Sequence, residues 1–445
     1  MCKASWAVFE HNSFDDRLTK WRATVSQQPF DGVRVVEFGQ FVAVPFAAQL
    51  LAEGGAHVIK IEALGGDPTR QLRPLAPGET RTFLSRNRGK HSLPLALRDP
   101  GAKPVIDALL ARADVALMNF RPGLAEKLDL DAVTLAERFP RLIVGTVTAF
   151  GKEGPDAGYA GMDIVVQARS GLMAANGRIV DNRPAPGDPV SADYMCAMTL
   201  AFGVSAALLR RERTGRGGSV DTSLMQAAMT LANNQLVRSE EQDGPRHRAV
   251  LEKLAEQRAA GVSYADQLAG IPSVRALPLM KVYFRTYETA DAVIAIACGS
   301  HSLRVKFIDV VGLADPGLDA VDDSELGAHY DVLMAKIEAV LRNQPSAEWI
   351  DRLHEVGVPV SLVKFPLELF DDPQAEANDM FHTLEHPTAG DVKMLSPPVR
   401  LEEDGFTPAA PTAALGSETE SILLELGFSQ TQIDELVDGK VTHRG

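Results

Sequence analysis

A regular alternation of short β-branched segments and longer segments with helical spacing constrains the fold of this chain most. The residues GVRVVEF at 32–38 predict a buried strand, and the residues at 41–56 predict a helix that ends on glycines. The residues AHVIKIE at 56–62 predict a second strand, which completes a β-α-β unit with a right-handed crossover between parallel strands. Further strands and helices of this pattern are predicted at 90–97, 99–113, 114–120, 131–140 and 142–150. Apolar strands of this kind indicate a sheet buried on both faces, so we predict an α/β fold with a Rossmann-like, doubly wound parallel sheet.

The remaining sequence predicts a smaller α+β domain and long connections. A hairpin is expected at 282–298 and a strand at 358–364, with amphipathic helices between them. The tail predicts a strand at 396–403 and two helices within 418–440. The predicted organisation is an arm at 1–30, a large domain at 31–225, a linker at 226–275, a small α+β domain at 276–365, a linker at 366–390 and a return to the large domain at 391–445.

Composition narrows the functional classes. A net charge of −14 disfavours general binding to nucleic acid or to anionic membranes, although it leaves room for a local basic pocket. The N-terminal residues lack the apolar region of a secretory signal, and no run of about 18 apolar residues predicts a membrane span. Cys2, Cys196 and Cys298 are scattered and the histidines are dispersed, which predicts no metal site and favours a reducing cytoplasm.

Common catalytic motifs are absent from the sequence. The chain contains no GxxxxGK[ST], no HExxH and no GxSxG pattern. The first predicted strand is followed by Gln40, Phe41 and Val42 and not by a GxGxxG turn, which weakens a dinucleotide-binding interpretation.

The stretch PVSADYMCAM at 189–198 places Asp193 directly before a long apolar segment that predicts a helix at 194–217. Taken locally, this pattern favours an Asp that caps the helix by accepting backbone N–H groups. The alternative is a nucleophile at the positive end of the helix, where the dipole keeps a carboxylate ionised in a partly dry pocket. The two interpretations are compatible with each other.

Several ordered segments resemble the class III CoA-transferases, the family of formyl-CoA transferase and carnitine CoA-transferase. One of them, ADVALMNFRPGLAEKLDL at 113–130, carries the N-F-R-P-G pattern that is typical of the family. The others are the opening unit at 32–70, SRNRGKHSLPLAL at 85–97 and the block around Asp193 at 189–224. Together the resemblance covers roughly residues 31–440, and it identifies the large domain as the CoA-binding domain.

The resemblance implies that Asp193 is the catalytic nucleophile. Coenzyme A would pass between carboxylic acids through aspartyl–acyl anhydrides and an aspartyl–CoA thioester. Coenzyme A and acyl-CoA would therefore be substrates, with no permanently bound cofactor, and small dicarboxylates such as succinate are the acids expected from the family. The resemblance also implies an interlocked homodimer, in which each chain threads the ring of the other.

The CoA contacts implied by the resemblance lie at the first β-α turn, at the turn at Asn119–Phe120 and on nearby cations. They are Gln40, Phe41, Val42, Arg88, Lys90, Asn119, Phe120, Arg121 and Lys127. For each of the four cations, a solvated surface charge is an equally good interpretation. Family members often carry an Arg just after the K-I-E of the second strand, where this chain has Ala63, and Arg70 is one residue that could compensate.

Two alternative functions stay open on the same scaffold. An acyl-CoA racemase or CoA-ester lyase is the first, but racemase relatives use a His-Asp pair where this chain has Met162 and Asp163, and Met162 cannot move a proton. For Asp163, a structural or pocket-lining role is favoured over a chemical one. The second alternative is a CoA-binding protein without catalysis, in which Asp193 would be dispensable.

Overall fold

The computed structural model describes residues 28–187, 189–271, 278–320, 326–402 and 405–445, and these divide into two compact units. The larger unit holds the described chain up to Arg178, together with Pro184–Asn233 and Ala377–Gly445. The smaller unit holds Ile179–Arg183 and Asn234–Glu376. The predicted arm lies outside the described residues as far as residue 27, as do residues 272–275 of the predicted linker.

The elements are numbered along the described chain. The strands are β1 Arg34–Glu37, β2 His57–Glu62, β3 Pro74–Ala76, β4 Glu79–Thr80, β5 Lys90–Pro94, β6 Val115–Met118, β7 Ile143–Thr148, β8 Ile179–Val180, β9 Arg183–Pro184, β10 Gly218–Ser223, β11 Phe284–Glu288, β12 Val293–Ala297, β13 Val360–Leu362, β14 Phe381–His386 and β15 Gly390–Leu395. The α-helices are α1 Ala43–Glu53, α2 Arg81–Asn87, α3 Ala102–Leu110, α4 Leu124–Lys127, α5 Ala132–Arg138, α6 Asp163–Arg169, α7 Leu172–Asn176, α8 Ser191–Thr214, α9 Leu224–Leu231, α10 Gly244–Ala259, α11 Tyr264–Ala269, α12 Met280–Tyr283, α13 His301–Val311, α14 Gly327–Leu341, α15 Ser346–Glu355, α16 Pro373–Ala377, α17 Thr419–Leu426 and α18 Gln430–Asp438.

A six-stranded sheet in the order β10-β7-β6-β1-β2-β5 forms the centre of the larger unit. Every neighbouring pair in it is parallel, which confirms the predicted parallel sheet and α/β fold. Numbered by position along the chain, this order is the Rossmann order, which reverses direction between β1 and β6. Ligands of such sheets bind beyond the carboxyl ends of the strands at this reversal.

Alternate residues of each strand belong to two separate cores. Val35 packs with α1, α8 and α9 on one face, whereas Val36 packs with α3, α5, α17 and α18 on the other. Successive side chains of a strand point to opposite faces of the sheet. A sheet that is covered on both faces therefore needs strands that are apolar at nearly every position. Helices therefore cover both faces of the sheet, and the last two helices of the chain complete the second face.

Helix α8 is the longest helix of the described chain, with 24 residues, and it alone among the described helices is long and apolar enough to cross a membrane. The sequence contains no uninterrupted run of about 18 apolar residues, so α8 was not predicted as a candidate membrane span. The apolar character has a different use here, because Cys196, Leu200 and Val204 are fully buried in the core beneath the sheet.

The smaller unit contains an antiparallel sheet in the order β11-β12-β13. Its core joins aromatic and aliphatic side chains of the sheet to those of α13, α14 and α15, and Tyr283, Phe307 and Trp349 are among its buried members. The hairpin that the sequence predicts at 282–298 is present as β11 and β12.

One prediction in the C-terminal part is wrong. The residues at 396–402 form no strand, because Pro397 and Pro398 lack the N–H groups that a sheet requires. The predicted linker at 366–390 contains α16 and strand β14. Strand β14 pairs with β15 over six residue pairs.

A buried ion network joins the end of β1, the middle of β2 and the start of β5. The Lys60 ammonium lies 2.9 Å from Glu37 Oε1 and 3.1 Å from Asp67 Oδ2, and it donates to the Gly39 carbonyl at 2.7 Å. The second oxygen of Glu37 lies 2.7 Å from the Lys90 ammonium. Removing one member leaves its partners charged and unpaired in a dry environment, which costs more than the pair itself contributes.

Substituting Lys60→Met should therefore destabilise the protein by about 3–5 kcal/mol in the free energy of unfolding. The substitution leaves Glu37 and Asp67 without their shared cation, although Met fills a similar volume. Urea unfolding followed by circular dichroism measures the change. The matched control is Lys103→Met, because Lys103 pairs with Asp107 and Asp129 in exposed positions, and it should cost less than about 1 kcal/mol. Equal losses for the two variants would contradict the structural importance of the network.

Candidate active site

The start of helix α8 is fastened by a carboxylate from another helix. Asp163, the first residue of α6, accepts the backbone N–H of Ala192 at 2.9 Å and that of Asp193 at 3.1 Å. Its other oxygen accepts from the Gln167 side chain, and the residue is only 5% exposed. The helix begins at Ser191, so Asp193 is its third residue and lies in the first turn.

The interpretation of Asp193 as a helix N-cap is therefore wrong. The N–H groups that a cap would satisfy are bound by Asp163, which lies thirty residues earlier in the chain. The expected structural role of Asp163 agrees with these contacts. With the cap supplied from elsewhere, the Asp193 carboxylate is left without a hydrogen bond to any described residue and is available for chemistry.

The electrostatic environment of Asp193 differs from the one expected. Burial and the neighbouring Asp163 charge raise the pKa of Asp193 to about 7, while Arg86 pulls it in the opposite direction. The amino-terminal position on α8 does not keep the pKa at its ordinary value. Near neutral pH the carboxylate thus exists in both its ionised and its protonated forms.

Phe46 and Arg86 contact Tyr194, the residue that follows Asp193. The Tyr194 ring meets the Phe46 ring edge-on, with the centroids 5.0 Å apart. The Arg86 Nε group donates to the Tyr194 hydroxyl at 3.3 Å. Phe46 belongs to the first turn of α1, and Arg86 belongs to the last turn of α2. Asp193 therefore lies where α1, α2, α6 and α8 approach one another.

Cys196, one turn after Asp193, is not a competing nucleophile. Its side chain is fully buried, and its sulfur lies 3.4 Å from the Thr222 hydroxyl. Burial raises the pKa of this thiol to about 11, so the reactive thiolate is rare at neutral pH.

The turns after β1 and β6 are joined at the point where the sheet order reverses. The backbone N–H of Gln40 donates to Asn119 Oδ1 at 3.0 Å, and Asn119 Nδ2 donates to the Gln40 carbonyl at 2.9 Å. Phe41 adopts a positive φ of 67°, which is uncommon for a residue with a side chain. Val42 is buried behind it, and the Phe120 ring packs on Phe38 at 5.8 Å. The structure brings these predicted CoA contacts together, and their assignment to CoA stays a prediction.

The predicted phosphate ligands Arg88 and Lys90 lie inside the protein. Arg88 is 4% exposed and donates to Glu53 Oε1 at 2.6 Å. Lys90 is 5% exposed, binds Glu37 and donates to the Pro45 carbonyl at 2.7 Å. Burial lowers the pKa of Lys90 to about 8, against the pull of the Glu37 charge. These contacts argue for structural roles, and phosphate binding by either residue stays a prediction.

The other two predicted cations, Arg121 and Lys127, are exposed. Arg121 follows the Asn119–Phe120 turn directly, whereas Lys127 ends the short helix α4. Arg70 does not stand in for the Arg that relatives carry at the position of Ala63, because two of its nitrogens bind the two oxygens of Glu62 at 2.8 Å each.

Sequence reasoning missed three residues of this site: Phe46, Arg86 and Tyr194. Tyr194 follows the predicted nucleophile, so its position alone was a signal. Arg86 lies in the segment at 85–97 that resembles the family, together with Arg88 and Lys90. The spacing of these residues in the sequence does not show which of them faces the site. The contact of Phe46 depends on how α1 and α8 pack.

The geometry agrees with three comparisons to known proteins. The model of CoA-transferase family III matches residues 30–419. Acetyl-CoA:oxalate CoA-transferase of Acetobacter aceti is 31% identical over 394 residues, which cover 86% of this chain and 92% of that protein. Cinnamoyl-CoA:phenyllactate CoA-transferase of Clostridium sporogenes is 28% identical, with 92% of this chain and 96% of that protein covered. The crystal structure of Rv3272 from Mycobacterium tuberculosis superposes with a TM-score of 0.72 at 28% identity, covering 89% of this chain and 99% of that one.

The raised pKa of Asp193 predicts a pH-dependent gain in stability for Asp193→Asn. A carboxyl group with a folded pKa of about 7 and an ordinary value of 3.8 stabilises the fold in its protonated form, and this stability is lost as the pH rises through 7. An Asn side chain cannot ionise, so the variant should gain up to about 3 kcal/mol relative to the wild type between pH 5 and pH 8. Urea unfolding at both pH values measures the difference.

The matched control for this measurement is Asp131→Asn. Asp131 caps α5, and hydrogen bonds from Thr134 and Val133 lower its pKa, so its titration falls below pH 5. The stability difference between this variant and the wild type should be the same at pH 5 and pH 8. A constant difference for Asp193→Asn as well would show that Asp193 titrates normally.

Proposed function

We propose that Asp193 is the catalytic nucleophile of this protein, which belongs to CoA-transferase family III and is therefore an enzyme that transfers CoA. The observation that carries the proposal is the unsatisfied carboxylate of Asp193 at the start of α8, held there by the hydrogen bonds to Asp163. Covalent catalysis by a carboxylate needs a group that is fixed in position, accessible to substrate and partly shielded from water.

The proposed reaction has four displacements and needs no net proton. The Asp193 carboxylate attacks the donor thioester carbonyl, so that an aspartyl–acyl anhydride forms and CoA thiolate leaves. The thiolate attacks the aspartyl carbonyl, which releases the donor acid and forms an aspartyl–CoA thioester. The acceptor carboxylate attacks this thioester, giving a second anhydride and thiolate again. The thiolate then attacks the acceptor carbonyl, which forms the product thioester and restores Asp193.

The surroundings of Asp193 suit these steps in two ways. Burial of the carboxylate weakens its hydration, and a poorly hydrated carboxylate is a stronger nucleophile. The Tyr194 ring, one residue after Asp193, packs against the Phe46 ring, and an apolar surface here would slow hydrolysis of the anhydrides. The pKa of about 7 leaves a substantial ionised fraction at neutral pH, so nucleophilic attack stays possible.

We propose that CoA occupies the crevice beyond β1 and β6. The Gln40–Asn119 pair marks the reversal of strand order, where ligands of this fold bind. Phe46 lies in the helix that starts after Val42 and contacts the residue following Asp193, so the thioester end of CoA would meet the nucleophile along α1. Exposed Arg121 is the best placed of the predicted cations for a phosphate.

The enzyme is also proposed to be a cytoplasmic homodimer, interlocked as the resemblance implies. Helix α8 carries three exposed apolar side chains on one face, Met198, Phe202 and Leu209, and Phe202 is 75% exposed. An apolar face of this kind on an otherwise well-packed unit favours burial against a second copy.

Trapping the covalent intermediates tests the proposed function. With an acyl-CoA donor and hydroxylamine, the wild type should accumulate a hydroxamate on Asp193, because hydroxylamine attacks both the anhydride and the aspartyl–CoA thioester. Peptide mass spectrometry locates the modified residue. Asp193→Ala should show no label, and CoA transfer between acids should fall by at least about 1,000-fold.

The control in this experiment is Asp163→Asn, which keeps oxygen acceptors near α8 while Asp193 is retained. It should still be labelled at position 193. Label at another residue, or normal transfer by Asp193→Ala, would exclude Asp193 as the nucleophile. Exchange of the α-proton of an acyl-CoA with solvent in the absence of an acceptor acid would instead favour the racemase alternative.

Light scattering coupled to size-exclusion chromatography tests the proposed homodimer. The wild type should have twice the 47.9 kDa mass of the chain. Phe202→Asp should lower the fraction of dimer or its unfolding temperature, because a charge would be buried in the contact. The control is Val133→Asp, since Val133 is 71% exposed on α5 and should tolerate a charge. A monomeric wild type would refute the proposal.

A further inference from the structure

Gln167 is a fully buried amide on α6, one helical turn after Asp163. Its Oε1 atom accepts the backbone N–H of Gly187 at 3.0 Å, and its Nε2 group donates to Oδ2 of Asp163. The same Nε2 group also lies 3.4 Å from the Gly187 carbonyl oxygen. Both ends of one amide are therefore in use at a residue that has no exposed surface.

Together, Asp163 and Gln167 fix the chain on both sides of the point where α8 begins. The Oδ1 atom of Asp163 accepts the backbone N–H groups of Ala192 and Asp193, and Gln167 holds Gly187, four residues before the helix starts. The residue before α8 makes no capping bond through its own side chain. The position of the first turn of α8 therefore depends on two side chains of α6.

The chemistry of the two partners explains why an amide stands at position 167. The Asp163 carboxylate only accepts hydrogen bonds, whereas the Gly187 N–H group only donates one, so the side chain between them needs both a donor and an acceptor. Glutamine offers both without a charge. Without its N–H group, Oδ2 of Asp163 would be buried and unsatisfied, and the carboxylate would gain by turning away from α8 toward another donor.

We propose that Gln167 is a positioning residue for Asp193, which acts by fixing Asp163 and Gly187 at the same time. The inference rests on the proposed function, since it assigns Gln167 to the orientation of the nucleophile. The hydrogen bonds of Gln167 go to the chain itself and not to the turns proposed for CoA, so its contribution belongs to the chemical steps. A displacement of about 1 Å between reacting groups can lower a rate by about 100-fold.

Two substitutions of similar size separate positioning from packing. Gln167→Met removes both the donor and the acceptor, so kcat for CoA transfer should fall by about 30- to 300-fold, while KM for the acyl-CoA stays within about 3-fold of the wild type. Gln167→Glu should lose less than about 5-fold in kcat at pH 6, because the new carboxyl beside the Asp163 charge keeps its proton and donates as the amide does.

The loss in Gln167→Glu should grow between pH 6 and pH 8.5, as the new carboxyl releases its proton and repels Asp163. Each value is compared with the wild type at the same pH, because Asp193 itself titrates near pH 7 under the influence of burial and of the Asp163 and Arg86 charges. The loss in Gln167→Met should stay constant over this range. Steady-state kinetics with a fixed donor and acceptor acid measures all three enzymes.

Gln49→Met is the matched control, because Gln49 is also a fully buried amide of the larger unit and donates to Glu53 Oε1 at 3.3 Å within α1. It should lower the unfolding temperature about as much as Gln167→Met does, but leave kcat within about 3-fold of the wild type. A loss of kcat as large as that of Gln167→Met would show that any buried amide has this effect, and would overturn the positioning role.

Unchanged kcat in Gln167→Met, or equal losses in Gln167→Met and Gln167→Glu at pH 6, would also overturn the positioning role. In both cases hydroxylamine would still label Asp193, and the proposed function would stand. Transfer that persists in Asp193→Ala would instead refute the proposed function itself, so the two failures are distinguishable.

Discussion

The buried pairing of Glu37 with Lys60 and Lys90 is the interaction on which the positions of the other site residues depend. Glu37 ends β1, and its two oxygens bind Lys60 from β2 and Lys90 from the start of β5, so the three strands are fixed together. Lys90 also donates to the Pro45 carbonyl in the first turn of α1. The ion network thereby fixes the start of α1, which carries Phe46 onto Tyr194 and follows the Gln40–Val42 turn. A buried charge cluster beneath the crevice thus positions both the proposed CoA turn and the surroundings of Asp193.

Charges are balanced differently in the buried ion pairs of Lys60, Arg70 and Arg88 and at Asp193, the proposed nucleophile. In these pairs, each cation is matched to a carboxylate, which rigidifies the strands and leaves little residual charge. At Asp193 two carboxylates lie near each other with Arg86 as a nearby cation, and burial dominates the pKa. This arrangement places unfavourable desolvation on one carboxylate. In the proposed mechanism, bond formation would relieve it, because the anhydride and the thioester carry no charge on the aspartyl group. The same burial that raises the pKa of Asp193 would therefore favour the proposed acylated states.

The sequence predicted the parts of the fold that depend on local periodicity. The core strands from β1 to β7 were predicted from short apolar runs, and α1, α3 and α5 from their apolar spacing, so the parallel sheet followed directly. Helix α2, between β2 and β5, was not predicted. The site was harder, because its contacts join residues that are distant in the chain. The cap of α8 comes from Asp163 rather than from Asp193, and no local pattern near either residue reveals this. Likewise, Arg88 and Lys90 read as surface cations in a charged segment, whereas their carboxylate partners lie 35 and 53 residues earlier, at Glu53 and Glu37.

A single carboxylate that carries two different acids in turn imposes symmetry on specificity. In the proposed mechanism, the donor and acceptor acyl groups would form chemically equivalent anhydrides on Asp193, so any side chain that contacts one of them would contact the other. Residues beside the carboxylate therefore cannot discriminate between donor and acceptor roles, and they select only the class of acid admitted to both. The direction of transfer then depends on concentrations and on thioester energies rather than on the pocket. Arg86 binds Tyr194, the residue after the proposed nucleophile, and side chains in such positions would be subject to this constraint.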